Sequence, residues 1–275
     1  MPHFNAQDGT QLYFEETGRG LPILCLAGLT RNSRDFDFVA PHLTDVHLIR
    51  MDYRGRGKSV RAPSQTYSIL QEAADAIALL DHLGIEKAAI LGTSRGGLIA
   101  MTIAVLSKNR LLGAALNDVG PVLEQEFLST LAEYVGKEPL SPDMETLAAA
   151  TAAWYAKEFP GVSMERWRQH ISNTYELDQG RPALNYDGPG LREAVIAAGE
   201  TPLPDLWPLF FELATLPTAM IHGMNSTLIS PETVEEMQRC APGLIVARVP
   251  DRGHVPFLDE PESLDALKRW IEALQ

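Results

Sequence analysis

Short apolar segments that alternate with helical patterns constrain the fold of this chain more than any other feature. Several of these segments are apolar at every position, which is typical of parallel strands covered by helices on both faces. Helical patterns lie between them, such as residues 67–83, with Thr66 or Ser68 as an N-cap and Gly84 just beyond the end. This alternation predicts an α/β fold with a mostly parallel sheet. The predicted strands are residues 23–26, 46–51, 88–91, 112–116, 218–221 and 244–249.

Turn and cap residues mark further elements. Asp8-Gly9 lies between short alternating runs and predicts a hairpin near the N-terminus. One more helix is predicted from Ser94 towards Leu106, and two others begin at Pro231 and Pro261. Proline is favoured at these starts because its missing N–H costs little in the first turn of a helix.

The alternation is interrupted between residues 121 and 215, where the sequence shows helical patterns but no convincing strand. This segment holds three of the four tryptophans, together with four tyrosines. We therefore expect a helical cap, or lid, formed by residues 121–215 and inserted between two late strands, with aromatic side chains available to face a cleft. Residues 1–120 and 216–275 would form the core. The alternative is a set of surface helices that extend the main core.

The charge of the chain limits its partners. Its 275 residues include 36 acidic and 23 basic side chains, which gives a formal net charge of -13. A chain this acidic is expected to repel phosphate backbones and anionic lipid surfaces, so we predict no nucleic-acid and no membrane partner. A small-molecule substrate is expected, and the chain could assemble as a homo-oligomer.

Cysteine content and the N-terminus indicate the compartment. Cys25 and Cys240 are too few for a disulfide framework or a zinc cluster, so no metal is predicted. The first residues show no signal peptide, and no apolar run approaches the roughly 20 residues that span a bilayer. We expect a cytoplasmic protein.

The segment Gly92-Thr93-Ser94-Arg95-Gly96 carries the clearest chemical signal. As a bare pattern Gly-x-Ser-x-Gly is weakly specific, but here it follows a predicted strand and opens a predicted helix, the setting of a nucleophile elbow. The two glycines permit a sharp turn that exposes the serine oxygen. We predict Ser94 as a nucleophile. The alternative is a glycine-rich turn with a solvated serine.

A serine hydroxyl needs a base to take its proton. Of the seven histidines, His254 lies in a loop after the last predicted strand and follows the serine in chain order, so we predict it as that base. Structural or surface roles are expected for the others, which are His3, His42, His47, His82, His170 and His222.

Two N–H donors are needed to stabilise the negative charge that develops on a substrate oxygen. The backbone N–H of Arg95, directly after the serine, is one candidate. The second is the backbone N–H of Leu29, in the loop that follows the strand at residues 23–26. The alternative for Gly28 in this loop is a plain turn.

These motifs together resemble the α/β-hydrolase fold superfamily, in its serine hydrolase branch. The segment Asp52-Tyr53-Arg54-Gly55-Arg56-Gly57-Lys58-Ser59 is similar to the family's Asp-x-Arg-Gly-x-Gly-x-Ser, and Gly253-His254 followed by Glu260-Pro261 resembles its histidine loop. The resemblance implies a mostly parallel eight-stranded sheet flanked by helices, with a cap between two late strands. Ser94 argues against haloalkane dehalogenases and epoxide hydrolases, which use an aspartate nucleophile.

The sequence departs from the family pattern at two places. Ala27-Gly28 stands where the oxyanion loop usually reads His-Gly, which is expected to change loop packing more than chemistry. Thr227 stands where the triad acid is expected. Threonine can accept a hydrogen bond but offers no negative charge to stabilise an imidazolium ion.

Two other carboxylates could serve as the acid. Asp118 lies at the end of the predicted strand after the elbow helix, where some branches of the superfamily carry their acid; it could instead cap the loop structurally. Asp251 is a weaker candidate, because only a short loop separates it from His254. If neither reaches the ring, the chain is a disabled or engineered hydrolase with a serine–histidine dyad.

The function that follows from these residues is hydrolysis of a small, largely apolar ester or lactone through an acyl-enzyme intermediate, without a cofactor. A carbon–carbon bond hydrolase acting on a diketone-like ring-cleavage product is one alternative. The other is a catalytically impaired relative that binds a ligand, which the threonine at position 227 suggests.

Overall fold

A computed structural model describes residues 2–124, 130–131, 133–200 and 204–275. Its main feature is an eight-stranded sheet in the order β1-β2-β4-β3-β5-β6-β9-β10. The pairs β1–β2 and β2–β4 are antiparallel, and the remaining neighbours are parallel. The strands are β1 (His3–Asn5), β2 (Gln11–Thr17), β3 (Leu21–Leu26), β4 (Val46–Met51), β5 (Ala88–Thr93), β6 (Leu111–Asn117), β7 (Tyr175–Asp178), β8 (Arg181–Leu184), β9 (Thr218–Gly223) and β10 (Ile245–Val249).

Helices connect the parallel strands and cover both faces of the sheet. Their bounds are α1 (Ile69–His82), α2 (Arg95–Leu106), α3 (Met144–Trp154), α4 (Met164–Thr174), α5 (Gly188–Gly199), α6 (Trp207–Leu213), α7 (Pro231–Cys240) and α8 (Pro261–Ala273). The α/β class and the mostly parallel eight-stranded sheet are therefore confirmed.

Two hydrophobic clusters, one on each face, explain why the central strands are apolar throughout. In β5, Ile90 packs into the cluster that contains α1 and α2. Its neighbours Ala89 and Leu91 point to the opposite face and pack into the cluster that contains α8. Because successive side chains of a strand alternate between faces, a strand covered on both sides needs apolar residues at every position.

The predicted ends of the helices agree closely with the structure. Ser68 is the N-cap of α1, since its hydroxyl accepts the N–H of Gln71. Gly84 follows the end of this helix with a φ of +67°, a conformation that favours glycine. The prolines at positions 231 and 261 are the first residues of α7 and α8.

The segment at residues 121–215 contains a β-hairpin, so the expectation of a segment without strands is wrong. Strands β7 and β8 pair antiparallel around Gln179 and Gly180, which both have positive φ. The hairpin gave no periodic signal because three of the four residues of β7 are exposed, so no apolar alternation marks it.

The end of the same segment packs against the main core. In α6, Phe210 and Leu213 are fully buried in the cluster that also contains α2. The division into a core (1–120 and 216–275) and a cap (121–215) stays a prediction.

Candidate active site

Ser94 lies in a sharp turn between β5 and α2. Its backbone has a φ of 51° and a ψ of -113°, a strained conformation for a residue with a side chain. Gly96 is required there because a Cβ at this position would lie 1.9 Å from the carbonyl oxygen of Leu26. A Cβ at Gly92 would likewise lie 2.6 Å from the backbone of Gly96. The local geometry is that of a nucleophile elbow, as the motif predicted.

The ring of His254 lies against this serine. Nε2 of His254 is 2.9 Å from Oγ of Ser94, which is hydrogen-bond distance. The two residues are 160 positions apart in the sequence, and the loop after β10 brings the imidazole to the carboxyl end of β5. The predicted nucleophile and base are therefore in contact.

Asp118 lies on the other side of the imidazole. Its Oδ2 is 2.8 Å from Nδ1 of His254, and its side chain is completely buried. The N–H of Gly223 donates to Oδ1 at 2.9 Å, and the hydroxyl of Ser226 donates to Oδ2 at 2.6 Å. A buried carboxylate with these donors is held in place at Nδ1, and the serine oxygen lies at Nε2, the other nitrogen of the ring.

The other two positions considered for the triad acid lie on the surface. Thr227 is exposed to solvent, and the neighbouring Ser226 is the residue of this loop that contacts Asp118. Asp251 is also exposed. The strand order accounts for the arrangement: β6 and β9 are adjacent, and their carboxyl ends meet, so a carboxylate after β6 reaches the loop after β9.

The two peptides predicted to form the oxyanion hole lie beside the nucleophile. Arg95 is the first residue of α2 and follows Ser94 directly. A Cβ at Gly28 would lie 4.0 Å from Cβ of Ser94, so the loop after β3 passes alongside the serine, and Leu29 is its next residue. Their role as oxyanion donors stays a prediction.

A largely buried cluster of three charged side chains, Arg56, Glu72 and Arg95, links Arg95 to the loop that contains Leu29. Glu72 is on α1, and its Oε2 is 2.5 Å from Nε of Arg95. Its Oε1 is 3.1 Å from Nη2 of Arg56, and neither Glu72 nor Arg56 is exposed. Arg56 in turn donates from Nε to the carbonyl oxygen of Leu29 at 3.1 Å. The Arg56–Glu72–Arg95 cluster therefore connects the side chain of Arg95 to the carbonyl oxygen of Leu29.

Other residues of the Asp52–Ser59 motif form hydrogen bonds with nearby backbone groups. The carboxylate of Asp52 accepts the N–H groups of Ser33 and Lys58 at 2.6 and 2.8 Å. Ser59 donates its hydroxyl to the carbonyl oxygen of Asp52 at 2.7 Å. A Cβ at Gly57 would lie 2.2 Å from the Asp52 carboxylate, so glycine is required at this close approach.

An aromatic cleft opens next to His254. The segment at residues 121–215 contributes Tyr155, Phe159 and Trp167, and the core contributes Phe38 and Phe257. Ring centroids of Phe159 and Phe257 are 5.7 Å apart, and those of Phe38 and Phe257 are 5.4 Å apart. The cleft wall is thus built from both parts of the chain. Of the other two tryptophans in this segment, Trp154 is exposed and Trp207 packs with Phe210 and Phe211 instead.

Three ionisable residues of this cleft were not predicted as site residues: Arg31, Asp35 and His170. Nη1 of Arg31 is 3.0 Å from Nε2 of His170 and 3.6 Å from Oδ1 of Asp35. Burial, reinforced by the Arg31 charge, lowers the pKa of His170 well below its usual value. Burial raises the pKa of Asp35, and the Arg31 charge and a hydrogen bond from the Gly28 backbone oppose that rise. His170, for which a structural or surface role is expected, lines this cleft.

The backbone of Glu158 joins the segment at residues 121–215 to the loop after β9, and its carboxylate is half-buried. The side chain of Asn225, in the loop after β9, donates to the carbonyl oxygen of Glu158 at 3.0 Å. Burial raises the pKa of the Glu158 carboxyl, the positive form of His254 opposes the rise, and Asp118 reinforces it. Glu158 thus belongs to the electrostatic surroundings of the histidine.

The described part of the chain offers no candidate metal cluster and no candidate membrane span. It contains no group of three or more histidine, cysteine or carboxylate side chains arranged to hold a metal ion. Within the same residues, no helix is both long and apolar enough to cross a membrane.

The fold and this arrangement of a serine, a histidine and an aspartate define a class of hydrolases. The family model for the alpha/beta hydrolase fold matches residues 22–261, and the chain belongs to this family. It is 33% identical over 255 residues to a 3-hydroxybutyrate-oligomer hydrolase of Cupriavidus necator, covering 88% of this chain and 85% of the relative. The protein is therefore a hydrolase of the superfamily.

Solved structures agree with this assignment. A crystal structure of an alpha/beta hydrolase from Novosphingobium aromaticivorans is 35% identical and superposes with a TM-score of 0.91, covering 99% of this chain and 97% of the other. A thermophilic esterase from Thermogutta terrifontis is 26% identical with a TM-score of 0.74, covering 100% and 99% of the two chains.

Proposed function

We propose that this protein is a serine hydrolase that cleaves an ester bond through an acyl-enzyme intermediate. One observation carries the proposal: the ring of His254 lies between Ser94 and Asp118, at 2.9 and 2.8 Å. A serine hydroxyl becomes an effective nucleophile when an adjacent imidazole accepts its proton. The esterase and the oligomer hydrolase among the similar proteins support the same reaction class.

Acylation begins with attack of Oγ of Ser94 on the substrate carbonyl carbon. His254 accepts the hydroxyl proton at Nε2, and the carbonyl oxygen takes up the negative charge. The N–H groups of Leu29 and Arg95 stabilise this oxyanion. His254 then donates the proton to the leaving alcohol as the carbon–oxygen bond breaks, and an ester with Ser94 remains.

Deacylation repeats these steps with water as the nucleophile. His254 accepts a proton from the water, and the tetrahedral intermediate collapses with return of that proton to Oγ of Ser94. Asp118 stays ionised in both steps and stabilises the imidazolium ion through Nδ1. This carboxylate also weakens the case for a ligand-binding relative without catalysis, because that case rested on the threonine at position 227.

The substrate is a small ester with a largely apolar part, or a lactone. The aromatic wall formed by Phe38, Phe159, Trp167 and Phe257 next to His254 supports this assignment, because apolar surface of this kind favours apolar groups. We further propose that residues 121–215 act as a lid over this cleft, since three of the aromatic side chains in its wall come from that segment.

Hydrolysis of 4-nitrophenyl acetate and butyrate tests this function. The wild type should release 4-nitrophenolate with saturation kinetics, and Ser94→Ala should reduce turnover to the level of the buffer. Ser107→Ala, at the other end of α2, is the matched control and should retain wild-type rates. Turnover that survives Ser94→Ala, or a folded wild type without turnover on any short ester, would contradict the proposal.

A further inference from the structure

Arg31 places a cation in the wall of the cleft. It lies two residues beyond Leu29, in the same loop, and lines the cleft together with His254. Its side chain is 25% exposed, so the guanidinium is reachable from the cleft. The mechanism described above does not use this residue.

The guanidinium of Arg31 has hydrogen-bond donors beyond those that contact its neighbours. All its side-chain hydrogen bonds come from Nη1, which contacts His170 at 3.0 Å and Thr174 at 3.3 Å. Among the described residues, Nε and Nη2 of Arg31 have no hydrogen-bond partner, so three of the five N–H groups stay available. Nε and Nη2 form the edge of a guanidinium that binds a carboxylate with two parallel hydrogen bonds.

The neighbours of Arg31 leave much of its charge uncompensated. The carboxylate of Asp35 is 3.6 Å from Nη1, beyond hydrogen-bond distance, and burial raises the pKa of this group. His170 carries no negative charge, and its lowered pKa keeps it neutral at pH 7. An anion that binds next to such a cation loses contacts with water. A charge-assisted hydrogen bond to the guanidinium offsets the free-energy cost of that loss.

Phenol side chains complete the surroundings. Tyr155 lines the same cleft as Arg31, and Tyr175 directly follows Thr174, whose hydroxyl accepts from Nη1 of Arg31. Burial raises the pKa of both phenols, and the Arg31 charge opposes both rises. Because both stay protonated at pH 7, their hydroxyls can donate to an anion. The whole chain carries a formal charge of -13, so an anionic substrate would need a local cation of this kind to enter the cleft.

We propose that Arg31 binds a carboxylate of the substrate, so that the preferred substrates are esters with a carboxylate on either the acyl or the alcohol part. The proposal rests on the proposed ester hydrolysis and refines its substrate from a largely apolar ester to an apolar ester with one acidic end. A carboxylate, with one negative charge, is favoured over a phosphate dianion because Arg31 is the one arginine or lysine among the described residues that line this cleft.

Two pairs of matched substrates test the proposal. The first pair is 4-nitrophenyl hemisuccinate and its methyl ester, which differ in the charge on the acyl part. The second is 3-acetoxybutyrate and its methyl ester, which differ in the charge on the alcohol part. We expect the wild type to prefer the acid in at least one pair.

Arg31→Gln should lower kcat/KM for the preferred acid by at least about tenfold, mainly through KM, and change kcat/KM for the neutral partner little. Arg31→Lys should recover part of the loss, because it restores the charge without the paired donors. Arg34→Gln is the matched control: it removes the same charge three residues away, where the guanidinium contacts the Ser172 carbonyl and Asp37, and should behave as the wild type.

A binding measurement separates failure of this proposal from failure of the proposed function. Succinate should raise the Tm of the wild type and not that of Arg31→Gln, whether or not esters are hydrolysed. Equal effects of Arg31→Gln on both members of each pair, or a Tm shift with inorganic phosphate but none with succinate, would overturn the carboxylate assignment. Absence of turnover in the wild type would instead contradict the ester hydrolysis.

Discussion

The side chain of Asp118 determines whether this site has a complete set of catalytic groups. The residue has a φ of 57° and directly follows β6, and its backbone N–H donates to the carbonyl oxygen of Ile221 at 2.8 Å. These contacts fix the carboxylate under the imidazole. The loop after β9, where the acid was expected, contributes Ser226 as a donor to Asp118 instead of an acid of its own.

Asp118→Asn should lower kcat for ester hydrolysis by about 10³–10⁴ while Ser94 stays folded in its elbow. The amide removes the charge that stabilises the imidazolium ion and favours the wrong tautomer of the ring. Steady-state kinetics on a 4-nitrophenyl ester measure the effect. Thr227→Ala is the matched control and should keep wild-type kcat, since Thr227 is exposed. Loss of activity in Thr227→Ala, with normal rates in Asp118→Asn, would reverse the assignment.

His170 should make the protein less stable in mild acid. Burial, together with Arg31, lowers its pKa in the folded state, whereas the pKa in the unfolded chain stays near 6.5. Below pH 6.5 the unfolded chain therefore binds a proton that the folded protein does not, and the free energy of unfolding falls as the pH falls through this window. Above pH 6.5 the effect disappears.

Thermal unfolding between pH 5 and 7.5 measures this effect. Between pH 7.5 and pH 5, the Tm of the wild type should fall further than that of His170→Gln. The difference between the two decreases should be on the order of a few degrees. His82→Gln, which replaces a histidine at the end of α1, supplies the matched comparison and should follow the wild-type slope. Parallel slopes for the wild type and His170→Gln would show that the histidine ionises freely in the fold.

At the scale of elements, α1 connects to the site through its buried charges. Glu72 contacts Arg95, which begins α2, and Arg56, which donates to the carbonyl oxygen of Leu29. Because Leu29 and Arg95 carry the predicted oxyanion donors, we expect these contacts to influence the separation of the two N–H groups. Preorganised donors of this kind contribute much of the stabilisation of an oxyanion, so small displacements are costly.

Glu72→Gln should therefore lower kcat by about 10- to 100-fold, in addition to destabilising the fold through unpaired buried guanidinium groups. Asp75→Asn is a matched control on the same helix, because it disrupts the buried pair of Asp75 with Arg54 at 2.7 Å without contacting either oxyanion peptide. Urea unfolding should show a loss of stability in both variants, and kinetics should show a loss of kcat in Glu72→Gln alone. Equal kcat in the two variants would limit the cluster to a structural role.

At the scale of the whole molecule, most of the architecture could be predicted from the sequence. Strands such as β5 are apolar at every position because both faces of the sheet are covered, and that pattern is visible without a structure. The hairpin of β7 and β8 could not be found in this way, since it is short and β7 is largely exposed. Its turn residues Gln179 and Gly180 both have positive φ, but of the two only the glycine is a residue that marks a turn in a sequence.

The candidate site was predictable in part. Ser94 and His254 lie in motifs with a fixed relation to strands, and the structure brings them together. The sequence left the acid open between Asp118 and Asp251, because the choice depends on which loop reaches the far side of the ring. Arg31 and His170 are 139 residues apart in the sequence and contact each other in the fold, and no local sequence pattern predicts such a contact.

The most direct measurement for the central claim is the site and rate of covalent labelling by a fluorophosphonate, followed by mass spectrometry of the peptides. The account predicts one adduct per chain on Ser94, formed rapidly in the wild type and slower by about 10³ or more in His254→Ala. An adduct on another residue, or equally fast labelling of Ser94 without the imidazole, would contradict it.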